Sequence, residues 1–187
     1  MRLYFVRHGE SKLNTINRYE SSNSPLTPTG LKQAKAVAKR FKKIKIDAII
    51  SSDYVRAHQT AEEIGKVTGQ PIETTAFLRE RKRPSEFDGL EYYDPRVLEI
   101  KREVWKNIHN PNWRFSDEET SFDLIKRAQK FIQMVEERDD KAIVVVSHNA
   151  FIKFAIACLM FESKVTPQLV EFVYHFSIAS NTGLTIC

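Results

Sequence analysis

Leu3-Tyr4-Phe5-Val6-Arg7-His8-Gly9-Glu10-Ser11 is the stretch on which the fold turns. An apolar run of strand length passes without a break into an arginine, an imidazole and a glycine. In sheets of parallel strands, ligands settle beyond the carboxyl ends, where backbone N–H groups are free to meet an anion. His8 therefore stands where a reacting group belongs, and the remaining strands have to supply its partners.

Working outward, β-branched and alternating runs predict strands at Arg2–Val6, Ala48–Ile50, Ile72–Thr74, Ala142–Val146 and Leu184–Ile186. Helical spacing fills the gaps: Leu31, Ala34, Val37, Ala38 and Phe41; Tyr54, Ala57, Ala61 and Ile64; Ile125, Ala128, Ile132 and Val135. Ser116 with Glu119 reads as a capping box that starts the third of these helices close to Asp117. Ala142–Val146 is apolar throughout, as in a strand covered on both faces, and Phe151–Phe161 is apolar all round except Lys153, as in a buried helix. Strands alternating with helices imply right-handed crossovers. The fold class expected is α/β, a three-layer sandwich with a mostly parallel central sheet and helices on both faces. Arg81–Asn112 breaks the rhythm with Pro84, Pro95 and Pro111 and the aromatics Tyr92, Tyr93 and Trp105. It is read as a helical lid inserted at about 81–112 in a single domain spanning 1–187.

With 187 residues, 42% of them hydrophobic and 28% charged, the chain has the composition of an ordinary globular domain that can bury a core without metal or disulfide staples. No run approaches the roughly 20 apolar residues of a membrane span. A strand begins at once with no signal-peptide pattern, and Cys158 and Cys187 have no metal-like spacing, so a cytoplasmic protein with free thiols is expected. The formal net charge of +5 favours acidic partners. The lysines of the segment 32–43 read as a solvated helix face, and Arg79–Arg83 forms a second basic tract.

Three strands end in candidate phosphate ligands. Val6 is followed by Arg7-His8, Ile50 by Ser51-Ser52-Asp53 and then Arg56, and Val146 by Ser147-His148-Asn149. Were these strands parallel neighbours, two arginines and two imidazoles would meet in one cleft suited to a dianion, because guanidinium groups offer phosphoryl oxygens paired donors. Asn149 is expected to cap the helix that follows, adding its N-terminal potential to the pocket. Such a pocket needs no Mg²⁺, and no motif suggests a metal or any other cofactor.

Those segments, with Asn14, Leu26-Thr27-Pro28-Thr29-Gly30, Gln33-Ala34, Tyr54-Val55-Arg56-Ala57-His58-Gln59-Thr60-Ala61 and Leu78-Arg79-Glu80, resemble the histidine phosphatase superfamily, relatives of the phosphoglycerate mutases, in family order from residue 2 to about residue 160. The resemblance implies a covalent phosphohistidine on His8 in a pocket of Arg7, Arg56 and His148, with Asn14 giving the phosphate an amide N–H and Ser11 and Thr27 lining the pocket. It also carries the acid at Glu80. The segment Arg81–Glu86 runs about one residue longer than the family pattern, which leaves Glu86 and Asp88 as rival proton donors. Asn149 stands where the family has glycine. His58, His109 and His175 match no functional family position, and Tyr92, Tyr93, Trp105 and Trp113 read as lid or core packing.

Chemistry agrees with the resemblance. An imidazole near neutral pH is a nucleophile without a helper, provided its other nitrogen keeps a proton, which a backbone carbonyl would hold. The function expected is a metal-independent phosphomonoesterase acting on a small phosphorylated metabolite, with neither membrane nor nucleic acid as partner. A phosphoglycerate mutase-type transfer is the nearest alternative, favoured by Glu80-Arg81 and disfavoured by a short lid and the stop at Cys187. A non-catalytic phosphate-binding module is the other.

Overall fold

The computed structural model describes residues 1–12, 14–19, 23–176 and 180–187. Among them, strands β1 (Arg2–Arg7), β2 (Ala48–Ser52), β3 (Ile72–Thr75), β4 (Ala142–Ser147) and β5 (Leu184–Ile186) form one sheet in the order β3-β2-β4-β1-β5. The first four are mutually parallel, and β5 lies antiparallel on the edge of β1. Around the sheet stand α1 (Pro28–Arg40), α2 (Val55–Thr68), α3 (Pro95–Lys106), α4 (Ser121–Glu136), α5 (Asn149–Phe161) and α6 (Pro167–Phe176).

Strand alternation divides the core in two. Leu3 and Phe5 of β1, Ala48 and Ile50 of β2, and Ile143 and Val145 of β4 face α4, α5 and α6, where Leu124, Phe131, Phe151 and Phe154 are buried. Tyr4, Val6, Ile49, Val144 and Val146 point the other way, onto Val37, Phe41, Ala57, Ala61 and Ile64 of the α1–α2 layer. Because both faces are covered, the three central strands carry continuous apolar runs. The order is what matters for function: β4 runs between β1 and β2, so the carboxyl ends of all three adjoin.

Two expectations about helix starts are corrected. The capping box is built on Thr120 and Asp123, and α4 begins at Ser121. Ser116 sits at φ 53°, Asp117 accepts from the Ser85 N–H, and Glu119 pairs with Arg127, so neither member of the expected box is free to cap. His148 is the N-cap of α5 without a side-chain cap bond, and Asn149 opens the helix, its amide donating to the Tyr174 hydroxyl (3.2 Å). The residues 81–112 hold a single α-helix, α3, and a short 3₁₀ turn at Ser85–Phe87. Helix α6 had no counterpart in the periodicity; Pro167 starts it, and the Thr166 hydroxyl accepts from the Leu169 N–H. The buried stripe of α5 ends at Cys158, and Met160 is exposed.

Replacing Thr120 with alanine removes the hydroxyl that accepts from the Asp123 N–H and donates to its carboxylate. A loss of about 1 kcal/mol is expected, read as a fall in melting temperature of about 2–4 °C for a chain of this size.

Candidate active site

His8 leaves β1 beside the end of β4, its backbone N–H donating to the Ser147 carbonyl (3.0 Å). The imidazole is buried, and Nδ1 lies 2.7 Å from the Gly9 carbonyl. A carbonyl can only accept, so Nδ1 carries the proton and Nε2 the lone pair. Arg56, in the first turn of α2, donates from Nε to that lone pair (3.2 Å). The His148 ring lies 5.0 Å from that of His8, centroid to centroid, with Nε2 2.9 Å from the Ser52 hydroxyl. His148 Nδ1 is buried with no hydrogen-bond partner.

Why the chain folds this way locally is visible in the loop after β1. The Gly9 N–H donates to Thr60, whose hydroxyl donates in turn to the Arg56 carbonyl. Gln33 accepts from the Glu10 N–H, and Thr27, the cap of α1, donates to the Glu10 carboxylate (2.6 Å). Gly9 and Gly30 meet backbone to backbone: a Cβ on Gly30 would stand 2.0 Å from the Glu10 carbonyl. The resemblance motif around Thr27, Gly30 and Gln33 thus frames the His8 loop. Thr27 serves it as scaffold rather than as pocket lining, and Ser11 is fully buried beside it.

Glu80 reaches the same place from beyond β3. Its carboxylate accepts from the Ala150 N–H at the start of α5 (3.1 and 3.3 Å) and from Arg81 N–H (2.8 Å). Arg127 holds the approach to it, donating to the carbonyls of Phe77 (2.6 Å) and Arg79 (2.8 Å) while paired with Glu119. A cleft of about 590 Å³ is lined by Arg7, His8, Asn14, Arg56, Glu80 and Asn149, and by Tyr54 and Tyr92. Of the rival acids, Asp88 also lines the cleft and Glu86 is exposed outside it. His148 lies behind His8, fully buried. His58 is at the surface beside Glu62, His109 is exposed and bonded to Gln168, and the side chain of His175 lies outside the described residues.

Sequence reasoning missed Tyr54, whose ring packs on His148 (5.2 Å) and under the guanidinium groups of Arg56 (5.2 Å) and Arg79 (5.6 Å). The basic tract does not act as one patch. Arg79 pairs with Asp53, Arg81 with Glu118 and Lys82 with Asp117. Among the described residues, no group of three or more His, Cys, Asp or Glu is placed to hold a metal ion.

The histidine phosphatase superfamily (branch 1) model matches residues 3–186. The chain belongs to this superfamily. This histidine phosphatase-superfamily protein is 32% identical over 162 residues to a protein of Hydrogenobacter thermophilus provisionally named phosphoserine phosphatase 2, covering 85% of this chain and 78% of that one. It is 32% identical over 165 residues to a Proteus mirabilis protein provisionally named phosphoglycerate mutase GpmB, covering 86% and 73%. A crystal structure of phosphoserine phosphatase from Entamoeba histolytica, in complex with 3-phosphoglyceric acid, superposes with a TM-score of 0.76 at 25% identity over 99% of this chain and 89% of that one.

Burial first, then the charges of Arg56 and Arg7, holds His8 well below the usual 6.5; burial, then His8, Arg56 and Arg7, does the same to His148. Both rings are neutral in the folded protein at neutral pH. The unfolded chain takes up protons below pH 6.5 that the native site refuses, so these residues make stability fall as pH drops. Melting temperature is expected to fall between about pH 7.5 and about pH 5.5, and less so for a His8→Asn, His148→Asn double variant, as followed by circular dichroism.

Proposed function

We propose that the protein is a metal-independent phosphomonoesterase for small phosphorylated metabolites, working through a phosphohistidine on His8 with Glu80 as proton donor. The observation that carries this reading is the tautomer of His8: Nδ1–H is committed to Gly9, and the lone pair on Nε2 is directed at Arg56 in a cleft of cations.

In the first step Nε2 attacks phosphorus, the N–P bond forms, and the bond to the leaving oxygen breaks. Glu80, in its acid form, gives that oxygen its proton. Arg7 and Arg56 meet the charge that spreads over the equatorial oxygens, and the N–H of neutral His148, now without a partner, completes the ring of donors. In the second step the Glu80 carboxylate takes a proton from water, the water oxygen attacks phosphorus, and the N–P electrons return to Nε2. Inorganic phosphate leaves and the enzyme is restored. Asn14 and Asn149, on the cleft wall, are proposed to hold the substrate by their amides. Cationic side chains supply the charge neutralisation that Mg²⁺ provides elsewhere. Two free cysteines, Cys158 buried and Cys187 exposed, suit a reducing compartment, and we place the protein in the cytoplasm.

The P. mirabilis relative's name favours a second reading, in which phospho-His8 returns its phosphoryl group to a second substrate hydroxyl. Following isomer against free phosphate, with 3-phosphoglycerate and bisphosphoglycerate supplied, separates the two.

On p-nitrophenyl phosphate, turnover is expected to survive EDTA, to vanish with the acid-labile phosphoenzyme in His8→Ala, and to fall in kcat by about 10²–10⁴-fold in Glu80→Gln. Unchanged turnover in His8→Ala would overturn the reading and leave a phosphate-binding module in its place.

A further inference from the structure

Ser52 belongs to the Ser51-Ser52-Asp53 motif, and no step of the reaction above calls on it. It is the last residue of β2 and is fully buried. Because β2 and β4 run parallel with Ser51 opposite Val146, Ser52 comes level with Ser147 and meets the residue that follows it, His148. The contact is the 2.9 Å bond between the Ser52 hydroxyl and His148 Nε2.

Which of the two donates follows from counting protons. A hydroxyl has one hydrogen and two lone pairs. The Tyr54 N–H donates into the Ser52 oxygen (3.2 Å), and among the described residues the hydroxyl hydrogen has no acceptor other than His148. Were Nε2 to hold the proton, the Ser52 O–H and the His148 Nδ1 lone pair would both be buried with nothing to meet. With Ser52 as donor, the Nδ1–H alone is left over. That arrangement orphans one polar group fewer, which favours it by about tenfold or more. His148 is also the N-cap of α5, where a ring lone pair could be met by an N–H of the first turn. No such side-chain bond forms, and the Ala150 N–H goes to Glu80 instead. Burial, with the charges of Arg56 and Arg7 nearby, keeps the ring from taking a second proton.

The geometry points to Ser52 as a positioning residue that fixes His148 in its Nδ1–H tautomer, so that a neutral imidazole meets the phosphoryl group as a hydrogen-bond donor. This rests on the reading of the His8 cleft as the phosphoryl site. The two rings then carry their protons on the same nitrogen to opposite ends. His8 has its Nδ1–H engaged by Gly9 and turns its Nε2 lone pair to Arg56, whereas His148 has its Nε2 lone pair engaged by Ser52 and keeps its Nδ1–H for the ligand. Ser52 acts on the reaction through His148.

The test reads the tautomer directly. In protein labelled with ¹⁵N-histidine the five histidines give separate ring signals, and His148→Asn assigns the one in question. At neutral pH the unaltered protein is expected to show His148 protonated at Nδ1 and bare at Nε2, and inorganic phosphate to shift the Nδ1 signal. In Ser52→Ala, which removes only the hydroxyl oxygen, the ring is expected to pass to the Nε2–H form or to a mixture of the two. Affinity for inorganic phosphate and kcat on p-nitrophenyl phosphate each fall about tenfold with it. Lost activity with an unchanged tautomer is what a merely structural serine would give, and it overturns the assignment. So does an Nε2–H ring in the unaltered protein, an Nδ1 signal indifferent to phosphate, or a switched tautomer that leaves phosphate affinity intact. Turnover and tautomer are separate readings of the unaltered protein: turnover with an Nε2–H ring removes the role of Ser52 alone, and an Nδ1–H ring without turnover removes the enzyme alone.

Discussion

One hydrogen bond, from His8 Nδ1 to the Gly9 carbonyl, decides which nitrogen of the buried imidazole keeps its lone pair. The loop that makes this contact is also held from outside. Thr60 holds Gly9 by its N–H, and Gly30 approaches so closely that neither backbone has room for a side chain. The start of α1, 20 residues downstream, is therefore part of the machinery that sets a tautomer. Glu10 sits in the same clamp, its N–H held by Gln33 and its carboxylate by Thr27.

The second constraint is electrostatic. Arg7, Arg56, His8 and His148 are gathered at three adjoining strand ends, with the Glu80 carboxylate anchored beside them on α5. Neutrality of both imidazoles limits the repulsion to the two guanidinium groups, and Tyr54 offers its ring face to one of them, Arg56, and to Arg79. The same neutrality keeps the Nε2 lone pair available. Stability and nucleophilicity thus have a common cause, the burial of the rings.

Much of this was legible in the chain. Continuous apolar runs placed the three central strands to within two residues, since strands covered on both faces have no alternation to misread, and the β-branched residues of the edge strand β3 placed it to within one. His8, Arg56 and His148 converge because each follows a strand end, which sequence shows, and because β4 runs between β1 and β2, which sequence does not. What escaped depends on long-range pairing. Ser116 and Glu119 have the spacing of a capping box, yet Glu119 is claimed by Arg127 and Thr120 takes the cap instead. Asn149 has the residue type of a cap, yet it is the first helical residue, bonded to Tyr174 from α6, a helix that the apolar spacing does not announce. The basic tract from Arg79 to Arg83 looked like one patch because its acidic partners, Asp53, Asp117 and Glu118, come from elsewhere in the chain.

Arg127 shows how such distant pairing bears on chemistry. Glu80 follows β3 in an irregular segment, the kind of backbone that wanders unless something fixes it. Arg127, rooted in α4, binds the carbonyls of Phe77 and Arg79 ahead of it, is itself locked by Glu119, and rests on the ring of Phe151. Ala150 then fixes the carboxylate from the other side through its N–H. Phe151 and Ala150 are successive residues of α5, which begins directly after His148. The helix that follows the second imidazole therefore orients the Glu80 carboxylate as well, so that His148 and Glu80 are referred to one rigid element rather than to two independent loops.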